Sequence, residues 1–177
     1  MGQITTIESL IDALDNSSES DRAQIVADLN LETEELEKFA TWSDECYTRN
    51  CIARSAEYEI ILLCWDAGAV TPIHGHDGQD CWVYQVQGDV LEMRFKAKSK
   101  DRLMLSEKLI LKAGDFSYMT DEMGYHLIKN DGKGKAMTLH IYAGPIDECE
   151  VFCDEDQMFK LTELEYDSVA EEYVTSS

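Results

Sequence analysis

Seven short segments rich in β-branched and aromatic residues follow one another between residues 57 and 143, and this series constrains the fold most. Gly, Asn or Asp separates many of them, as at Gly88-Asp89 and Asn130-Asp131-Gly132. The segments predicted to be strands are 57–65, 81–87, 90–95, 107–112, 116–119, 125–130 and 136–143. Many short strands at regular intervals are typical of sandwiches and barrels. The sequence therefore predicts a mainly β protein built as a jelly-roll β-barrel.

The first 42 residues have a different pattern, which is typical of helices. Apolar residues recur at helical spacing from Ile4 to Leu14, and the polar run at 15–18 ends that helix. Further helices are predicted near 21–29 and from about Thr33 onwards. We expect these helices to cap one end of the barrel. The predicted organisation is one domain, 1–177, with a helical cap at 1–42, a β-barrel core at 47–153 and an acidic C-terminal tail at 154–177. That tail is expected to hold a last strand near 158–161 and then to fray.

The charge balance limits the partners of the chain. Its 177 residues include 36 Asp and Glu against 15 Lys and Arg, for a net charge of −21. Phosphate backbones and anionic lipids would repel such a surface, which argues against nucleic acid and membranes as partners. No apolar run reaches the roughly 20 residues of a membrane span, and the N-terminus has no basic region typical of a secretory signal. We expect a cytoplasmic protein.

Six cysteines raise the question of disulfide bonds. They show no tight spacing pattern, and a chain of this length can bury a core without cross-links. Free thiols in a reducing compartment are the favoured interpretation, with disulfides as the alternative. The cysteines are Cys46, Cys51, Cys64, Cys81, Cys149 and Cys153.

Two of the four histidines, His74 and His76, lie two residues apart. In an extended chain such residues point to the same face, so both can reach one metal ion. Two unrelated loop histidines are the alternative for an isolated pair. Five residues separate Gly68 from the pair, four separate the pair from Cys81, and six separate Cys81 from Gly88. This pattern resembles the first motif of the cupin superfamily, in which a Glu normally stands at the position of Cys81.

A second, looser match follows further along the chain. Gly114 opens it, and His126 is followed by Asn130, but the usual Pro is absent and the spacing from Gly to His is one residue longer. The resemblance implies that His126 is a third metal ligand. Three neutral imidazoles without a carboxylate leave a divalent ion its full charge and open positions, which suits a thiolate together with dioxygen. Zinc with three histidines and a water is the rival.

Together with the histidine motif, three further segments, YTRN at 47–50, LCW at 63–65 and TLHIY at 138–142, resemble the cysteine dioxygenase family of cupins. The resemblance implies a non-haem iron(II) enzyme that oxidises the thiol of L-cysteine with O2 to cysteine sulfinate. It places the chain in cysteine catabolism, on the route to sulfinate and taurine. L-cysteine and O2 would be its small-molecule partners, and the family suggests a monomer.

The same resemblance assigns roles to individual residues. Arg49, with Tyr47, would bind the substrate carboxylate, because a guanidinium can donate two parallel hydrogen bonds. Cys81 and Tyr142 would form a thioether cross-link beside the iron. His140 would orient the Tyr142 hydroxyl, so that Tyr142, His140 and Cys81 form the catalytic set around His74, His76 and His126.

Several alternatives stay open at this level. A 3-mercaptopropionate dioxygenase would use the same histidines, but in that subfamily a Gln is expected at the position of Arg49. A zinc or nickel cupin of the isomerase type would keep a Glu where Cys81 stands. A cupin that stores or senses ligands without a metal would not need the three histidines. The run Ala143-Gly144-Pro145 also departs from the family's usual Ser-Pro-Pro after the tyrosine.

Overall fold

A computed structural model describes residues 2–99 and 102–174, without the side chains of 98 and 99, so residues 175–177 of the predicted tail lie outside the described part. The helices are α1 Ile7–Asp15, α2 Arg22–Ala27 and α3 Thr33–Leu36, with 3-10 turns at Glu19–Asp21, Glu37–Phe39, Asp121–Met123 and Glu171–Tyr173. The strands are β1 Thr48–Arg54, β2 Glu59–Trp65, β3 Cys81–Gln87, β4 Val90–Ser99, β5 Arg102–Leu111, β6 Phe116–Met119, β7 Tyr125–Lys129, β8 Ala136–Tyr142, β9 Glu148–Cys153, β10 Met158–Glu163 and β11 Ser168–Val169.

These strands form three sheets, in the orders β11-β1-β2-β8-β3-β6, β5-β4-β7 and β10-β9. Apart from the parallel pair of β1 and β11, neighbouring strands are antiparallel. The segment between β2 and β3 links the two smaller sheets, because His74 bridges both His126 in β7 and Val151 in β9. The mainly β jelly-roll prediction is confirmed, although ladder hydrogen bonds do not join the described strands into one closed sheet.

Strand β2 is the central element, and it is buried on both faces. Successive side chains point to opposite sides of a strand. One face of β2 therefore packs against the helices, while the other lines the space between the sheets. Ile60 and Leu62 belong to the first core, and Ile61 and Trp65 belong to the second. Burial on both faces explains why the sequence of this strand is almost continuously apolar.

The N-terminal helices pack on the outer face of the six-stranded sheet. Helix α1 begins with a capping box between Thr6 and Ser9, and it buries Ile7, Leu10 and Leu14. Each such side chain contributes about 1.5–3 kcal/mol of hydrophobic stabilisation. The prediction of a helical N-terminal segment is confirmed, and its buried residues share one core with β1, β2, β3 and β8. That the segment covers one end of the barrel stays a prediction. None of the described helices is long and apolar enough to cross a membrane.

Sequence patterns located some strands closely and missed others. The predicted segments 81–87 and 116–119 coincide with β3 and β6. Strands β1 and β9 were not predicted, because charged residues interrupt their apolar positions. The predicted fraying after residue 161 is also wrong. Strand β10 continues to Glu163, and β11 then pairs with β1.

Gly124 fixes how β7 approaches β4. Its φ of +109° lies in a region that residues with a side chain rarely adopt. A Cβ at this position would collide with the backbone carbonyl oxygen of Phe95. In the ladder, Phe95 pairs with Tyr125 and Arg94 with His126. The absent side chain therefore lets the strand that carries His126 lie close to its neighbour.

We expect Gly124→Ala to lower the free energy of unfolding by about 1–3 kcal/mol, because the new methyl group strains the backbone at the start of β7. Chemical denaturation measures the change. Gly134→Ala is the matched control, since a Cβ there meets no atom within 4 Å. Equal stability of the two variants would contradict the prediction.

Candidate metal centre and pocket

Three histidines converge between the sheets. The candidate ligand atoms of His74, His76 and His126 all lie within 4.8 Å of one another. The ring centroids are 4.7 Å apart for His74 and His126, and 4.7 Å apart for His76 and His126. His76 and His126 are fully buried, whereas His74 is partly exposed. Among the described residues this is the one group of three or more His, Cys, Asp or Glu side chains that could hold a metal ion.

Backbone hydrogen bonds position the first histidine. The His74 amide donates to the His126 carbonyl at 2.9 Å, and the His126 amide donates back at 3.1 Å. On the other side, the Phe152 amide donates to Ile73 at 2.8 Å and the Gly75 amide donates to Glu150 at 3.0 Å. The loop that carries His74 is therefore held between β7 and β9.

Asp121 holds the turn that follows His76. Its carboxylate accepts a hydrogen bond from the His76 amide at 2.8 Å and another from the Gly78 amide at 2.6 Å. Asp77 has a φ of +52° and Gly78 a φ of +79°, so the turn needs two residues in the left-handed region. The two hydrogen bonds stabilise this strained turn and with it the orientation of His76.

Glu92 lies behind His126 and orients its ring. The His126 Nδ1 atom is 2.8 Å from Glu92 Oε1, and both side chains are fully buried. Burial by itself would raise the pKa of Glu92, but hydrogen bonds from His126 and Ser117 lower it to about 2. An ionised Glu92 accepts a hydrogen bond from the Nδ1–H group of His126, which leaves the lone pair of His126 Nε2 free to face the other histidines.

The unpartnered ring atoms fit a divalent metal ion. Both ring nitrogens of His76 and the Nε2 of His126 are buried without a hydrogen-bond partner among the described residues. Desolvation and the neighbouring His126 lower the pKa of His74 to about 3, although part of its surface is exposed. The same two causes lower the pKa of His76 well below its usual value. Metal ligation needs neutral imidazoles, and these two are neutral at physiological pH.

A pocket of about 250 Å³ opens beside the histidines. The sequence-predicted residues on its wall are Tyr47, Arg49, His74, His140 and Tyr142. The Nε and Nη2 atoms of Arg49 are buried and have no hydrogen-bond partner within the described chain. A guanidinium with free N–H groups beside a pocket of this size can bind a small carboxylate. Cys149 also lines the wall, and burial raises its pKa to about 11.

Cys81 and Tyr142 are direct cross-strand partners of β3 and β8. Both are buried, and Tyr142 is close enough to act on the pKa of the Cys81 thiol. Burial raises the pKa of the Cys81 thiol and of the Tyr142 phenol, so both stay protonated. Tyr142 also lies beside the histidine group, with its ring centroid 6.2 Å from that of His76.

His140 ends a short chain of hydrogen bonds. The Trp65 indole donates to Thr138 Oγ1 at 2.9 Å, and Thr138 Oγ1 lies 2.9 Å from His140 Nε2. Because Thr138 accepts from the indole, its own hydroxyl proton is available to His140 Nε2. The Nδ1 atom of His140 contacts Cys81 Sγ at 4.0 Å. The orientation of the Tyr142 hydroxyl by His140 stays a prediction.

Sequence analysis missed Glu92 and Asp121. Glu92 could have been found from strand alternation, because Val90 and Glu92 point the same way and a carboxylate on an inward face needs a partner. Asp121 lies 45 residues from His76, and no local pattern links them. The predicted residues His74, His76, His126, Arg49, Tyr47, Cys81, His140 and Tyr142 all lie at or beside the pocket and the histidine group.

Comparison with known families and proteins identifies relatives of this chain. The family model described as cysteine dioxygenase type I matches residues 4–155. Cysteine dioxygenase type 1 of Bos taurus is 30% identical over 119 residues, which are 64% of this chain and 59% of that protein. The Danio rerio protein of the same name is 27% identical over 158 residues, which are 83% of this chain and 79% of that one. The match to the bovine protein thus spans about three fifths of its length.

Solved structures with a similar fold are more distant in sequence. TT1209 from Thermus thermophilus superposes with a TM-score of 0.52 at 21% identity, over 64% of this chain and 97% of that one. A Klebsiella pneumoniae protein with a double-stranded β-helix domain gives a TM-score of 0.52 at 15% identity, over 73% and 95%. At these identities the likeness supports the jelly-roll fold alone.

We expect Glu92→Gln to weaken binding of a divalent metal by about 10–100-fold, because a neutral amide no longer draws the proton to His126 Nδ1. Competition with a chelator measures the affinity. Glu107→Gln is the matched control, since the Glu107 side chain is half-exposed and its carboxylate lies 3.5 Å from Arg94 at the protein surface. An affinity loss that is the same in both variants would contradict the role of Glu92.

Proposed function

The chain belongs to the cysteine dioxygenase type I family, and from that premise we propose that it oxidises the thiol of L-cysteine to cysteine sulfinate with dioxygen and iron(II). The observation that carries the proposal is the convergence of three histidine rings, with unpartnered nitrogens on His76 and His126 among the described residues, beside a pocket lined by Arg49, whose Nε and Nη2 atoms also have no partner there. That combination would provide a metal site beside a carboxylate site in one small region of the molecule.

His74, His76 and His126 are the residues that would hold the metal. Iron(II), when bound, would supply a common binding point for thiolate and dioxygen and a path for electrons between them. Glu92 fixes the ring of His126, and Asp121 fixes the turn at His76. These supports keep the open side of the site directed at the pocket.

Arg49 and Tyr47 would bind and orient the amino acid. The free Nε and Nη2 atoms of Arg49 can donate two parallel hydrogen bonds to the substrate carboxylate. Burial raises the pKa of Tyr47, so its phenol stays a hydrogen-bond donor despite the charge of Arg49. The ring of Tyr47 stacks on Trp65 with centroids 5.1 Å apart, which holds it against the pocket wall. Fixing the carboxylate holds the thiol in place for reaction.

The overall reaction balances without an external reductant. A cysteine thiolate and one O2 give one sulfinate anion, and the sulfur supplies the electrons that reduce the oxygen. Tyr142 stays protonated because burial raises its pKa, so its hydroxyl can donate a hydrogen bond to the reacting oxygen or sulfur. The buried setting of the histidines limits the access of water to the site.

Turnover tests the proposal directly. The iron(II)-loaded protein is supplied with L-cysteine or with 3-mercaptopropionate, and oxygen uptake and sulfinate are measured together. We expect one sulfinate per O2 with L-cysteine as the preferred substrate. Arg49→Gln should lower kcat/KM for L-cysteine by about 30–150-fold, because a charge-assisted hydrogen-bond pair to the carboxylate is lost.

Arg102→Gln is the control for this variant, because Arg102 is exposed on β5. A preference for 3-mercaptopropionate would keep a thiol dioxygenase but reject L-cysteine as its substrate. Iron-loaded protein that oxidises neither thiol would overturn the proposed function.

We also expect a thioether between Cys81 and Tyr142, since the two residues are buried and directly opposite each other on neighbouring strands. Its formation removes two hydrogen atoms from the pair, and the dioxygen co-substrate is the oxidant that accepts them. Intact mass spectrometry should detect the loss of two hydrogens after aerobic turnover. The loss should persist in Cys64→Ser, whose thiol faces the helices, and disappear in Cys81→Ser. An unchanged mass in the wild-type protein would contradict the cross-link.

A further inference from the structure

The C-terminal segment Thr162–Asp167 lies beyond residues 4–155, which match the family model, yet it forms part of the pocket. Thr162, Glu163, Leu164 and Glu165 line the same cavity as Arg49. The segment is tied down by the Leu164 amide, which donates to the Asp147 carbonyl at 2.8 Å. A part of the chain outside the matched region therefore shapes the candidate substrate site.

Asp167 holds the backbone of Arg49. The Asp167 amide donates to the Arg49 carbonyl at 2.8 Å, and the Arg49 amide donates to Asp167 Oδ2 at 2.8 Å. Strand β11 continues this pairing, with Asn50 opposite Ser168. Both backbone groups that Arg49 presents on this side of β1 thus find their partners in the C-terminal segment.

Tyr166 contacts the other end of the same arginine. The guanidinium carbon of Arg49 lies 5.7 Å from the centroid of the Tyr166 ring, within the range of a cation–π interaction. A ring face attracts the guanidinium without using its N–H groups. This contact therefore fits an arginine whose Nε and Nη2 atoms are left free for a ligand.

The Tyr166 ring is itself held in place. Its hydroxyl donates a short hydrogen bond to Glu59 and accepts one from Arg54. Glu59 is fully buried and also accepts from the Ile146 amide, while Arg54 pairs with Asp147 at 2.7 Å. This network, centred on the buried carboxylate of Glu59, anchors the hydroxyl, so the position of the ring is set independently of Arg49.

We propose that Tyr166 is a positioning residue for Arg49, and that it sets the preference of this site for thiols that carry a carboxylate. The inference rests on the proposed function in that Arg49 must bind the substrate carboxylate. With the Tyr166 ring absent, the long arginine side chain samples more conformations, and ordering it again on binding costs affinity. A thiol that lacks a carboxylate does not use Arg49, so its binding should not change.

Anaerobic binding to the iron(II)-loaded protein tests the inference, with L-cysteine and 2-aminoethanethiol as probes. We expect Tyr166→Leu to raise the Kd of L-cysteine by about 3- to 30-fold while the Kd of 2-aminoethanethiol stays the same. Tyr166→Phe keeps the ring and loses only the hydroxyl anchor, so it should give a smaller rise with the same selectivity. If the Tyr166→Leu variant does not fold, the two Kd values of the Tyr166→Phe variant still test the inference.

Tyr173→Leu is the matched control, because Tyr173 contacts Phe39 and Glu8 rather than the pocket. It should leave both affinities unchanged. Equal losses for both probes in the Tyr166 variants, or no loss for L-cysteine, would overturn the inference. It would also be overturned if the wild-type protein bound both thiols equally well. Selective binding of L-cysteine without sulfinate formation would instead reject the proposed function and leave the role of Tyr166 intact.

Discussion

The two backbone hydrogen bonds between His74 and His126 are the constraint on which the candidate site depends. They make these residues a paired position of an antiparallel ladder, so their side chains project to the same side at a spacing set by the backbone. His76 follows at a spacing of two and is fixed by Asp121. Ligands that converge through backbone geometry need little reordering when a metal binds. The fold as a whole serves to bring one irregular loop against β7 and β9.

Local patterns in the sequence predicted the parts of this arrangement that depend on near neighbours. The spacing of His74 and His76, and strands such as β3, follow from rules that operate over a few residues. Glu92, Asp121 and Tyr166 act through contacts with residues distant in sequence, and no periodicity marks such pairs. The hairpin of β4 and β5 is longer than predicted, because the apolar residues in the outer half of β5, such as Met104 and Leu105, are exposed and do not alternate with polar ones. His126 came from family resemblance, since its distance from His74 has no local explanation.

The buried charges of the molecule are unequally compensated. Glu59 has Arg54 as a partner and Glu92 has Arg94, so each buried carboxylate is matched. Arg49 instead keeps two buried nitrogens without an acceptor in the part of the chain that the structure describes. Unsatisfied buried donors cost free energy, and a bound carboxylate would relieve that cost. Without a bound anion, the two unpaired donors of Arg49 therefore lower the stability of the folded protein.

Strand β2 contributes alternate side chains to the core beneath the helices and to the core around the histidines. A strand that two cores share cannot leave one of them without exposing the other. The helical segment and the metal centre should therefore unfold together in a single cooperative transition. Damage to helix α1, far from any ligand, would then reduce the population of protein able to bind metal. In this architecture, the stability of the histidine site depends on the packing of the helices against the opposite face of β2.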